Sequence, residues 1–390
     1  MSPSIRFPEF TGEWEKCKLG TLATKVGSGS TPKGGDAVYT SIGHYFVRSQ
    51  NVGMGFLMLD NIAHINDDIH QKHKATEIYE NDVLLNITGA SIGRTAVATK
   101  ELEGGNVNQH VCIIRTNSKV NPKFLCDYIQ TQRIQNHIKS LQTGGSREGL
   151  NFEQIRSFPI SLPSINEQNK LTCLLDKINE RIATQVRLIE DLKKLRCAIV
   201  EKMFKQSKAN GRLGDFIEQV SVRNKNGLYS NVLSVSNKQG FVKQSEQFED
   251  RTVASEDTSN YKIVKRNNFA YNPARINVGS IARLTKFDVG IVSPMYVCFR
   301  TKASIIPEYM EAFFTSQQFF YEMMKRLEGS VRLCLSYEGL CNIPVYIPDM
   351  NKQIAMGQNI SLILSKIGLE IEYLGRLHQQ KQYLLRKMFI

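Results

Sequence analysis

The chain has 390 residues, of which 41% are hydrophobic and 22% charged, an ordinary balance for a globular protein and enough length for two to four domains. No run approaches the ~18 apolar residues of a membrane span, and the opening MSPSIRFPEFTGEWEK lacks the apolar core of a signal peptide, so the sequence implies a cytoplasmic protein. A net charge of +13 favours a polyanionic partner, nucleic acid first, and eight cysteines without a C-x-x-C pair argue for buried apolar side chains over a zinc site.

In chain order, residues 1–160 open with RFPEFTGEWEKCKLGTLA and run through DVLLNIT and HVCIIRT, set between loops such as GSGSTPKGG and ITGASIGRTAV. That alternation predicts short strands joined by exposed loops. After Thr116 comes PKFLCDYIQTQRIQNHI, which reads as one amphipathic helix with Pro122 in its first turn. In residues 161–206 the apolar positions are Leu171, Leu175, Ile178, Ile182, Val186, Ile189, Leu192, Leu195, Ile199 and Met203. Steps of three and four predict a long helix with one narrow apolar seam. Residues 207–345 return to the mixed pattern, from GRLGDFIEQV through YSNVLSV, NFAYN and YVCFRT to a second amphipathic stretch, PEYMEAFFTSQQFFYEMM. Residues 346–390 carry a second seam at Met356, Ile360, Ile363, Ile367, Ile371, Leu374, Leu377, Leu384 and Met388.

The two halves are copies of one unit. Shifting the chain by 185 positions lays Leu150–Phe204 on Leu335–Phe389 without a gap, pairing Pro163 with Pro348, Gln168 with Gln353, and one K-M-F with another. The same shift pairs IIRT with CFRT and Pro122 with Pro307. Each long helix, roughly 40 residues and on the order of 60 Å, exceeds what a compact domain needs. Two of them can bury their seams against each other. The expected fold class is α+β: two tandem α/β domains, 1–160 and 207–345, separated by two long helices, 161–206 and 346–390, that form an antiparallel coiled coil.

Each helix begins at a strand-proline junction. In LPSINEQ, Pro163 keeps Leu162 extended, Ser164 stands at the N-cap position, and Glu167 has the capping-box spacing. The second copy has Asp349 as N-cap, but Lys352 replaces Glu167, so its helix start should be less well fixed locally. A strand ending in P-x-x-x-E-Q before a long helix, twice in one chain behind a variable α+β domain, resembles the specificity subunit of type I restriction-modification systems. The opening RFPEFTGEWEKCKLGTLA, its weaker echo GRLGDFIEQV, and the loops GSGSTPKGG and ITGASIGRTAV are similar to that family too. Departures are Lys352 and the lack of a clear STPKGG equivalent in the second unit.

Catalytic signatures are absent from the sequence. NPAR (Asn272–Arg275) lacks the second proline and the aromatic of an adenine-methyltransferase N-P-P-aromatic loop, and no Gly-rich cofactor loop precedes it. GSGSTPKGG lacks the G-K-[ST] order that cradles phosphates. His64, His70 and His73 have no fixed ligand spacing and read as surface polar residues, and the E-D-L-K run at 190–193 reads as a solvated helix face. The chain is expected to be non-catalytic and to hold no metal or cofactor of its own.

Reading DNA takes cations for phosphates and hydrogen-bonding side chains for base edges. The first unit offers Ser30, Thr31 and Lys33 in the Gly-rich loop, Arg48, Ser49, Gln50 and Asn51 after a strand, and Thr88, Ser91 and Arg94 in a second loop. The second offers Ser236, Asn237, Lys238 and Gln239, then Arg275, Asn277 and Ser280; Arg147 and Arg332 match each other ahead of the two junctions. The resemblance implies that each unit is a target recognition domain reading half of a bipartite, asymmetric site in double-stranded DNA. It also implies partners: two modification subunits carrying S-adenosylmethionine, and restriction (motor-nuclease) subunits using ATP and Mg. Outer faces of the helix pair, with Lys193, Lys194 and Arg196, are candidates for docking them, against plain solvent exposure. A stand-alone DNA-binding protein and a coiled-coil adaptor are the alternative readings.

Overall fold

The apolar runs DVLLNIT and HVCIIRT become strands because both of their faces are covered. In the computed structural model, which describes residues 3–142, 149–205, 208–237, 239–247, 257–329 and 332–390, Val83–Asn86 pairs with Val111–Thr116 at the centre of a four-stranded antiparallel sheet. Ala23–Ser28 and Thr95–Val97 flank them. Val83, Leu85, Cys112 and Ile114 face one core, while Leu84, Val111 and Ile113 face another shared with Val47 and Val107. Period-two alternation with apolar residues on both faces yields an unbroken hydrophobic run. The second core is closed by a three-stranded sheet, in which His44–Val47 lies antiparallel to Ala63–Ile65 and parallel to Asn106–Val107.

The second half repeats this plan. Phe269–Tyr271 and Val297–Thr301 are central, flanked by Ile217–Gln219 and Ile281–Arg283. Phe269, Tyr271 and Phe299 face one core; Ala270 and Cys298 face the other. Val232–Ser236 runs parallel to Val289–Val292, as His44–Val47 does to Asn106–Val107. The chain divides into one compact unit of Met1–Gln185 with Tyr373–Ile390, and another of Val186–Glu372.

The predicted amphipathic stretch after each proline is two helices. Pro122–Gln130 and Gln132–Gln142 are separated by Thr131, whose hydroxyl donates to Tyr128 O at 2.7 Å; Pro307–Phe314 and Gln317–Met324 are separated by Thr315 and Ser316, and Ser316 Oγ caps Phe319 N at 3.1 Å. Hydroxyls that bond locally to the backbone end one helix and start the next, which apolar spacing does not register.

The long helices are Ile165–Lys205 and Met350–Met388, each continuous. Within the first unit they run antiparallel: Leu171 and Leu175 share a core with Leu385, Met388 and Phe389, and Arg181 bonds Tyr373. Within the second, Val200 and Phe204 share a core with Ile360. The seam is more polar than predicted. Val186, Leu195 and Ile371 are exposed, while Gln185 and Lys381 are buried, Lys381 Nζ donating to Gln130 Oε1 at 3.1 Å. Cys112, Cys126 and Cys298 are buried as expected, and burial pushes each thiol up to about 12, but Cys173 and Cys197 are exposed on the central helix.

The two junctions share one hydrogen-bond device. Gln168 Nε2 donates to Pro163 O (2.9 Å) and Lys119 O (3.1 Å), and its Oε1 accepts from Asn121 N (2.8 Å). Gln353 makes the same three bonds, to Pro348 O (2.9 Å), Ser304 O (3.1 Å) and from Ile306 N (3.0 Å). Each buried amide ties the first turn of a long helix to the loop before the Pro122 or Pro307 helix.

The capping box does not close. Ser164 Oγ accepts from Glu167 N at 3.4 Å, but the Glu167 carboxylate is taken by Arg6, with Nε and Nη2 each at 2.7 Å, and by Trp14 Nε1 at 3.3 Å. A bidentate guanidinium pair outcompetes one backbone N–H. Nor is the second helix start looser: Asp349 Oδ1 accepts from Lys352 N at 3.0 Å, and Lys352 Nζ lies 3.1 Å from the same carboxylate.

Candidate nucleic-acid interface

Sheet register collects the loops at one end of each unit. Ser28 pairs with Cys112 and Asn86 with Val111, so the loops after Ala23–Ser28 and Val83–Asn86 meet the loop that precedes Val111. Asn106–Val107 runs into that last loop and pairs parallel with His44–Val47, which leads into Arg48–Asn51. The candidate segments at 30–33, 48–51 and 88–94 thus surround residues 108–110.

Hydrogen bonds fix this cluster. Gly29 N donates to Asn108 O at 3.2 Å, and a Cβ on Gly29 would lie 1.7 Å from Val107 O, so only glycine lets the first loop close on the 107–108 backbone. Buried Asn86 donates to Ser49 O at 2.8 Å and exchanges backbone bonds with the 93–94 segment, joining the second and third loops. Thr31 Oγ1 donates to Gln109 Oε1, Gln109 Nε2 meets His110 Nε2 at 3.1 Å, and His110 Nδ1 meets Thr88 Oγ1. Ser30 Oγ lies 3.0 Å from His73 Nδ1.

Of the candidates in this unit, Ser30, Thr31, Lys33, Gln50 and Arg94 are exposed, and Arg48, Ser49, Thr88 and Ser91 are half-buried. Arg48 sits over Tyr39, its Cζ 5.4 Å from the ring centroid. Asn51 is a correction: it is 3% exposed, and its amide accepts from Arg48 N (3.0 Å) and donates to Met58 O (2.9 Å), so it holds the turn and presents nothing outward. His70 is another, buried beneath His44 with ring centroids 3.8 Å apart and Nδ1 2.8 Å from Asn106 Oδ1. Among the described residues no group of three or more His, Cys, Asp or Glu could hold a metal.

In the second unit Asn237, Gln239, Arg275 and Arg332 are exposed, and Ser236 and Asn277 are half-buried. Gly279, at φ +88°, faces Asn237 and brings the 236–239 and 275–280 loops together. Ser236, Asn237 and Gln239 line a cleft of about 460 Å³ with Arg283 and Lys286. Arg283 there is paired with Glu308 and, at 2.9 Å, with Glu311, whose carboxyl burial nevertheless holds above its usual range. Ser280 is a correction, being 4% exposed with its hydroxyl donated to Val235 O at 3.2 Å. NPAR forms a turn in which Asn272 Oδ1 accepts from Ala274 N at 3.0 Å. Arg147 and Lys238 lie outside the described residues.

Gln109 and His110 were not among the sequence candidates. They sit between the strands Asn106–Val107 and Val111–Thr116, and nothing in N-Q-H alone marks a loop centre; the parallel pairing with His44–Val47 puts them there.

Comparison with known proteins agrees with this architecture. Residues 11–194 match the family described as "Type I restriction modification DNA specificity domain". The type I restriction enzyme EcoBI specificity subunit of Escherichia coli is 24% identical over 135 residues, a match spanning 34% of this chain and 28% of that relative. In fold, the chain is similar to the type I restriction-modification S subunit from M. genitalium, with a TM-score of 0.60 at 17% identity over 100% of this chain and 99% of that one. A chain from work on complex assembly and conformational transition of the type I R-M system gives a TM-score of 0.58 at 14% identity, over 98% of each chain.

Proposed function

We propose that this chain, whose residues 11–194 match the type I restriction-modification DNA specificity family, is the subunit that chooses the DNA target of such an enzyme. In this reading each unit, with recognition domains at 1–160 and 207–345, reads one half of a bipartite, asymmetric target. The long helices set the number of unread base pairs between the halves. The repeated plan of two unlike loop clusters on one sheet design carries the reading: equal scaffolds bearing unequal side chains suit a target of two unequal parts.

The chemistry belongs to partners. Two modification subunits would supply S-adenosylmethionine and methylate adenine, and restriction subunits would supply ATP- and Mg-dependent cleavage; Lys193, Lys194 and Arg196 on the central helix are candidate docking residues. Exposed Lys33, Arg94, Arg275 and Arg332 suit phosphate or guanine contacts, and Gln50, Asn237 and Gln239 suit base edges, with Arg48, Ser49, Ser30, Thr31, Thr88, Ser91, Ser236 and Asn277 around them. Replacing residues 207–342 by those of a relative tests the modular reading. One half of the target should change and the other persist; a change in both halves would defeat it.

A further inference from the structure

We propose that Gln109 is the specificity-determining residue at the centre of the first loop cluster, reading one adenine through its side-chain amide. This deepens the DNA-reading function proposed above and rests on it.

Gln109 is exposed, and its amide is held at both ends. Thr31 Oγ1 donates to Oε1, and Nε2 donates to His110 Nε2 at 3.1 Å. The His110 ring nitrogen facing that donor must accept, which leaves the proton on Nδ1 to donate to Thr88 Oγ1. An amide oxygen has two lone pairs and an amide nitrogen two hydrogens. One of each is used in holding the side chain, so one acceptor and one donor of the same planar amide stay open. That is the pattern which bonds adenine N6 and N7 bidentately in the major groove. The backbone beneath is equally constrained, because Asn108 Oδ1 accepts from His110 N at 3.0 Å, and His110 O accepts from Ile87 N at 3.0 Å. A contact prepared before binding discriminates best, since no rotamer freedom is lost on complex formation.

The second unit has no such amide at the matching position. A shift of 185 positions puts Pro294 opposite Gln109, followed by exposed Met295, neither of which can make a bidentate bond. The effect of Gln109 must therefore be confined to one half of the target.

The test selects bound duplexes from a randomised DNA library with the full chain, comparing wild type with Gln109→Ala and Thr31→Val. Wild type should return a two-part motif. Gln109→Ala should keep both parts but relax one adenine position by roughly 5- to 150-fold, the worth of one bidentate pair. Thr31→Val frees the amide without removing it, and should relax the same position partially; it also decides the matter if Gln109→Ala fails to fold. An unchanged motif in both variants would overturn the assignment. A wild-type chain that returns no two-part motif would instead sink the proposed function.

Discussion

Replacing Gln168 by alanine should destabilise the protein more than any exposed polar substitution in the chain. The side chain is fully buried, and its loss strips the partner from Pro163 O, Lys119 O and Asn121 N, which it holds at 2.9, 3.1 and 2.8 Å. At about 1 kcal/mol for each backbone group left unpaired, plus about 1 kcal/mol for the methylenes removed, the total is about 4 kcal/mol. For a unit of this size that lowers Tm by roughly 10 °C. Gln353→Ala should cost about the same, because its three bonds have the same partners at the shifted positions. Thermal unfolding followed by circular dichroism reads both, with Gln50→Ala as the exposed control. If Gln168→Ala melts within about 2 °C of wild type, the amide is not what fixes the helix to the loop before it.

Three further outcomes follow from other contacts. Glu167→Gln should cost about 3 kcal/mol by breaking the buried pair with Arg6, and should speed trypsin cleavage at Arg6; an unchanged cleavage rate would show that this pair does not hold the backbone around Arg6 in place. Burial raises the Asp127 carboxyl from 3.8 to about 7, with nearby Lys381 opposing the shift only in part. Because the folded state binds this proton more tightly than the unfolded state does, the stabilisation is complete below about pH 4 and is lost as pH rises towards 7. Asp127→Asn removes the dependence, so the Tm difference between wild type and variant should drift against wild type across that window, and a flat difference would contradict the assignment. Arg94→Ala should weaken DNA binding and reduce the steepness of its salt dependence by about one counterion; an unaltered slope would remove Arg94 from the phosphate contacts.

Punctuation and period were legible in the sequence, and partnership was not. Pro122 and Pro307, the N-cap residues and the two seams follow from local rules, and the structure has helices at each. Glu167 could not be read, because its partner Arg6 is 161 positions away and a capping box was the nearest explanation in sequence. The breaks at Thr131 and Ser316 were hidden inside apolar spacing that runs through both helices of each pair. In the candidate interface, Asn51 and Ser280 have the right chemistry for a base contact but point inward, a distinction made by burial. Gln109 and His110 were missed for the opposite reason: they become central only when parallel pairing of Asn106–Val107 with His44–Val47 carries them among the other loops.

The central claim is that two unlike loop clusters on one repeated scaffold read the two parts of a divided DNA target. Single-molecule sequencing of the host genome, with and without this gene, maps methylated adenines directly. The account predicts that one asymmetric motif, two short specific parts around a fixed unread gap, loses methylation when the gene is removed. An unchanged set of methylated sites, or the loss of a continuous or palindromic motif, would contradict it.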